Sequence, residues 1–303
     1  MQHDHSSHGH APPDYGRAFA IGIALNVAYV VVEAAAGFAS GSLALLADAG
    51  HNLGDVLGLT LSWGAAMLSQ RQPSGRFTYG LRSSSILAAL ANAVILLVVT
   101  GGIAWEAVLR FAHPVPVASG IMIAVAAIGI MVNGGTALLF ASGRARDLNI
   151  KSAFVHMAAD TLVTAGVVAT GVVIGLTGWL WLDPAVSLVV SAVIVIGSWG
   201  LLKSASGLAL HAVPQGLDGD AVRAHLAALP GVTALHDLHI WGMSTTETAL
   251  TCHLVMPGGH PGDTMLNAVT HELHDRFGIA HATLQIELAD TDEICALTPE
   301  HVV

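Results

Sequence analysis

Six times along this chain, at residues 17–38, 43–68, 85–110, 115–140, 153–177 and 183–204, apolar residues run almost unbroken for span length. A helix needs about 20 such residues to cross the hydrocarbon core of a bilayer. The reading is therefore six transmembrane helices. The first run starts too late, and without a small-residue cleavage pattern after it, for a removable signal peptide, so it is expected to stay as a span. Composition agrees: 53% of the 303 residues are hydrophobic and 11% charged, against about 25% charged in soluble domains.

Charge is divided along the chain. Up to residue 205, nine Lys and Arg balance nine Asp and Glu; beyond it Arg223 and Arg276 stand against twelve acidic residues. Such a tail is a poor partner for nucleic acid and a good one for cations. In the short loops, Arg71, Arg76, Arg82, Arg144, Arg146 and Lys151 lie on one side, with Arg17 and Lys203, and only Arg110 on the other. The positive-inside rule then places both termini in the cytoplasm, in the inner (plasma) membrane of a cell. Cys252 and Cys295 fall in a reducing compartment, where a structural disulfide is not expected.

Three regions follow. Residues 1–15 are polar and carry His3, His5, His8 and His10; they are expected to be disordered and to contact metal weakly. Residues 16–205 form a domain of six transmembrane helices. Residues 206–303 form a cytoplasmic α+β domain: a helix at 218–231 capped by Asp218, strands at 232–243 and 246–257, a helix at 262–278 and a strand at 281–288. The order αββαβ suggests a small antiparallel sheet with helices on one face, ferredoxin-like.

Within the second span, LADAGHNLGDVLGL (46–59) places His51 and Asp55 four residues apart, on one helical face. The fifth span repeats the spacing with His156 and Asp160. Polar groups at that depth cost several kcal/mol unless they do something, and two matched pairs can supply four nitrogen and oxygen ligands to one tetrahedral Zn²⁺. Without thiolates in the spans copper(I) is disfavoured, while cobalt(II), cadmium(II) and iron(II) remain open. A lone intramembrane His or Asp is often a helix–helix hydrogen-bonding element; Asp48 and Glu33 stay open in that sense, and neither is taken as a primary ligand. Four protein ligands leave no open position for a metal-activated water, which disfavours an intramembrane enzyme. A channel would want weak sites in series. His must be neutral and Asp ionised to bind metal, so metal and protons compete for such a site.

The chain resembles the cation diffusion facilitators. The resemblance spans about 17–288 and is carried by GSLALLADAGHNLGD (41–55), RFTYGLRSSSILAALAN (76–92), DLNIKSAFVHMAAD (147–160), HDLHIW (236–241) and HATLQIE (281–287). It implies a homodimer that exports Zn²⁺ from the cytoplasm against protons by alternating access, with His51, Asp55, His156 and Asp160 as transport ligands. The histidine in the second span is similar to the zinc-preferring branch. It also implies metal in the cytoplasmic domain that stiffens the dimer, at or near His236, His253 and Glu287, with Zn²⁺ there as a regulatory ion and no organic cofactor; His281, on the third strand, is a further candidate from its position alone. Leu81 and Ser85 depart from the family, which more often has Tyr and Glu there. The loop between the fourth and fifth spans lacks a His-rich insertion, as in bacterial members. THELHD (270–275) mimics a metalloprotease motif, but His271 and His274 are three apart instead of four.

Overall fold

The computed structural model describes residues 16–69, 71–141, 148–288, 295 and 297–298. The His-bearing stretch 1–15 and the loop with Arg144 and Arg146 lie outside them. Six long helices come first: α1 (Gly16–Ser40), α2 (Leu43–Ser69), α3 (Ser84–Ala112), α4 (Ser119–Ala141), α5 (Leu148–Thr177) and α6 (Leu182–Ala209). Then come α7 (Gly219–Ala227), β1 (Ala234–Gly242), β2 (Thr248–Val255), α8 (Asp263–Phe277) and β3 (Ile279–Glu287). Among the described residues, Ser84–Ala112, Phe154–Thr177 and Leu182–Ala209 are long and apolar enough to cross a membrane, and Asn26–Ser40 and Ser119–Gly135 are shorter apolar helices. The backbone forms two compact units, one of residues up to Thr60 with Ile95–Val195, the other of Leu61–Val94 with Ile196 onward.

In the first unit α2 is the buried element. Ala44 and Leu45 pack with Met122 and Ala126 of α4 and Val167 of α5, and Ala47 packs with Val190 and Ile194 of α6. Helices come this close because small residues line the contacts: a Cβ on Gly171 of α5 would meet Ile123 Cγ1 at 2.8 Å. Meanwhile Phe38, Val98, Trp105, Leu162 and Leu176 stand largely exposed, an arrangement that costs nothing when the surrounding solvent is lipid.

The start of α2 is held by a carboxylate from far along the chain. Asp183, in the first turn of α6 and wholly buried, accepts from Ser42 Oγ (2.6 Å), Leu43 N (2.8 Å) and Ala44 N (3.2 Å). Ser42 Oγ in turn accepts from Leu45 N at 3.1 Å. Amides that a helix start leaves orphaned are thus satisfied by a charged acceptor. Hydrogen bonds to a charged group contribute about 1.5–3 kcal/mol each. Asp183→Ala is therefore expected to lower thermal stability in detergent by about 2 kcal/mol or more; an unchanged unfolding curve would contradict this role.

In the second unit, α7 is capped as expected, Asp218 accepting from Asp220 N (3.0 Å) and Ala221 N (3.1 Å). Val222 and Leu226 of α7 and Val269 and Leu273 of α8 pack on Ile240, Leu250, Cys252 and Leu254 of the sheet. The strand order is β1-β2-β3. The expected all-antiparallel sheet is corrected here: β1 and β2 pair antiparallel but β2 and β3 pair parallel. A helix, α8, lies between β2 and β3, and a crossover through a helix returns the chain in the same direction. The sheet is therefore mixed.

The β1–β2 ladder skips between His236 and His239, pairing His236 with His253 and His239 with Thr251. Three residues along an unbroken strand would put the two histidines on opposite faces; the extra residue restores both to the face away from the helices. Asp237, at φ 51°, takes the left-handed turn that this bulge needs.

Candidate metal centre

In the first unit α2 and α5 bring all four intramembrane candidates together. His51 Nε2 lies 2.8 Å from Asp160 Oδ1 and 4.0 Å from Asp55 Oδ2. His156 Nε2 lies 3.3 Å from Asp55 Oδ2 and 3.6 Å from Asp160 Oδ2. Four donors at zinc-ligand bond lengths of about 2.0–2.2 Å from a common tetrahedral centre would stand about 3.3–3.6 Å from one another. These four His–Asp separations bracket that spacing, but only His51, Asp55 and Asp160 already have ligand atoms within 4.8 Å of one another, and His156 completes the set only by moving closer. Asp160 is buried, while His51, Asp55 and His156 are partly accessible, which leaves a route to the site on their side.

The 2.8 Å contact carries a chemical statement. It pairs His51 Nε2 with an oxygen of the Asp160 carboxyl group, a hydrogen bond that exists only while a proton lies between the two atoms. The same nitrogen faces the space between the ligands. Metal can take it only after the proton leaves.

In the second unit His236, His253, Glu287 and Cys295 each offer a ligand atom within 4.8 Å of the others. His253 Nδ1 is 2.7 Å and His236 Nε2 3.3 Å from Glu287 Oε1, and Cys295 Sγ is 3.7 Å from His253 Nδ1. Burial pushes the Glu287 carboxyl up, but hydrogen bonds from His253 and Cys295, with the nearby charge of His236 and His253, outweigh it and hold the group below its ordinary value. His236 Nε2 is buried without a hydrogen-bond partner. Two imidazoles, a carboxylate and a sulfur suit a closed tetrahedral zinc site.

His281 does not join this cluster. It shares the face of Glu287 but lies six residues up the strand, roughly 20 Å at about 3.3 Å per residue, and packs edge-on against Tyr79, ring centroids 5.6 Å apart. Cys295 and Asp237 take up roles that sequence reasoning missed. Asp237 Oδ1 lies 2.7 Å from His239 Nε2 and Oδ2 lies 3.5 Å from His253 Nε2, so the bulge residue orients both rings. The other cysteine is excluded: burial pushes the Cys252 thiol up to about 12, which leaves it protonated and inert. On α8, His274 pairs only with its neighbour Asp275, and no metal cluster forms there among the described residues.

The segment around the family departures is ordered against the tail. Arg82 Nη1 donates to Glu247 Oε2 (2.8 Å), Ser83 Oγ to Met243 O (3.1 Å), and Thr245 N to Ser85 Oγ (3.1 Å). A serine at 85 thus serves as an acceptor for the β1–β2 turn, and Arg82 finds its carboxylate there.

Comparison with known proteins gives two family matches along the chain. Residues 19–208 match the family described as "Cation efflux transmembrane domain" and residues 214–289 the one described as "Cation efflux protein, cytoplasmic domain". The zinc transporter ZitB of Escherichia coli is 36% identical over 95% of this chain and 93% of its own. The metal cation efflux system protein CzcD of Cupriavidus metallidurans is 34% identical over 95% of this chain and 91% of its own. The cadmium, cobalt and zinc/H(+)-K(+) antiporter of Bacillus velezensis is 32% identical over 93% and 92%.

Proposed function

The chain belongs to the cation efflux family, and from that premise we propose that it exports Zn²⁺ from the cytoplasm in exchange for protons, with His51, Asp55, His156 and Asp160 as the transport ligands. Family and relatives make it a membrane transporter of metal cations, with a C-terminal cytoplasmic domain built on a small mixed sheet. The observation that carries the proton-exchange reading is the His51–Asp160 hydrogen bond, in which a prospective metal ligand is occupied by a proton. A proton arriving from one side expels the ion; an ion arriving from the other expels the proton. Cd²⁺, Co²⁺ and Fe²⁺ fit the same donor set, and zinc leads because two imidazoles and two carboxylates match its tetrahedral preference.

On this reading α1 to α6 all span the inner membrane, both termini lie in the cytoplasm, and the αββαβ tail is a ferredoxin-like module in mixed-sheet form. The protein works as a homodimer, in keeping with the tail's matched family, which is named for a dimer. The cluster of His236, His253, Glu287 and Cys295 binds a regulatory Zn²⁺ that stiffens the tail and offsets its negative charge.

Reconstituted vesicles with a zinc indicator inside test the exchange. Saturable zinc flux that rises with an opposing proton gradient, and falls when an ionophore collapses it, is the expected result. Non-saturating flux indifferent to the gradient would overturn the proposal.

A further inference from the structure

One buried pair of acids is used neither as a ligand nor as a cap. Glu33 of α1 and Asp48 of α2 are both wholly inaccessible and interact directly with each other. Their surroundings differ sharply. Tyr29 Oη donates to Glu33 Oε1 at 3.0 Å and Asn52 Nδ2 to Glu33 Oε2 at 2.8 Å, whereas neither oxygen of Asp48 has a hydrogen-bond partner. The α5 hydroxyl facing Asp48, Thr164, is committed to the main-chain carbonyl of Asp160 at 2.9 Å. The other titratable groups facing the pair are Tyr29 of α1, His51 of α2 and Asp160 of α5. None is a Lys or Arg, and no hydrogen bond joins Asp48 to a ligand.

Two ionised carboxylates cannot share such a space without a cation. The pair therefore holds one proton between its two carboxyl groups. The arrangement is packed for the purpose: a Cβ at Gly129 of α4 would overlap the Tyr29 hydroxyl, so only glycine leaves room for the donor that holds Glu33.

We propose that Glu33 and Asp48 form a second proton-binding site of the exchange cycle, holding one proton while the metal ligands are empty and releasing it when Zn²⁺ binds. This rests on the transport-site reading above. Asp48 lies one helical turn before His51, and Asn52, which holds Glu33, follows it directly. A divalent ion on the ligands favours the ionised form of a carboxyl one turn away, and its loss restores the proton. Metal and proton are thereby linked without a shared atom.

Two measurements on the full-length protein in detergent test this. Infrared difference spectra between zinc-free and zinc-bound protein should show a protonated-carboxyl carbonyl band that disappears on binding, and Asp48→Asn should lack the band. Proton release per bound zinc, read with an indicator in weak buffer, should fall by one in Asp48→Asn while zinc is still bound. A wild-type protein without such a band, or an Asp48→Asn protein that keeps it, overturns the proposal. So does an Asp48→Asn protein that releases as many protons as wild type. The wild-type measurement needs no variant to fold. Zinc binding that is indifferent to Asp160→Asn would count against the transport site instead; the zinc-free infrared band still reports on the pair.

Discussion

Asp160→Asn is expected to stop zinc transport while leaving the protein folded. Asp160 is the buried member of the proposed ligand set, and its two oxygens face both histidines, His51 Nε2 at 2.8 Å and His156 Nε2 at 3.6 Å. The amide keeps the shape but loses the charge that offsets a divalent ion and half the acceptor capacity that orients the imidazoles. Removing only an outer partner of a metal ligand costs about 10–100-fold in affinity or activity, so loss of a ligand should cost at least about 100-fold in flux. The measurement is initial zinc flux in vesicles, with gel filtration and helical circular dichroism as the check on folding. Flux within a few-fold of wild type from a folded variant would remove Asp160 from the site.

Leu250→Ala should give the largest loss of stability. Leu250 is fully buried at the centre of the sheet, in a cluster with Leu226 of α7 and Leu273 of α8. Truncating such a leucine costs about 2–5 kcal/mol, the transfer of the lost methyl groups plus the cavity left behind. A small domain has little stability in reserve, since about 5–15 kcal/mol is typical even of larger ones. Amide exchange on the full-length variant should show protection lost along β1 and β2, with the His236–His253 pairing exposed. Protection equal to wild type would mean the domain is braced by something other than this core.

Much of this was readable beforehand because lipid imposes simple rules. Apolar runs located the six long helices, and the four-residue spacing in two of them located His51, Asp55, His156 and Asp160, whose side chains the structure gathers into one place. Strand direction was not readable in the same way. Alternation marks which residues face a core, and it is identical for parallel and antiparallel strands; only the helix between β2 and β3 distinguishes them. Cys295 could not be found by pattern because it belongs to no periodic element, and its approach to His253 is purely tertiary. His281 misled for the opposite reason. It sits on the right face, and face is what alternation reports, but distance along the strand separates it from Glu287. Asp48 and Glu33 showed in the sequence only as acids in apolar surroundings, and their unequal hydrogen bonding is visible only when α1 and α2 are packed together.

The bulge at Asp237 makes the tail's metal cluster depend on a count of residues as much as on their identities. His236 and His239 share a face because one residue is supernumerary in the ladder. Chain length in β1 is consequently a parity setting: with one residue fewer, every side chain would be unaltered, yet one of the two imidazoles would be turned inward among Leu226, Leu250 and Leu273. A deletion in β1 therefore acts on which face a histidine occupies, where a substitution acts on one side chain alone.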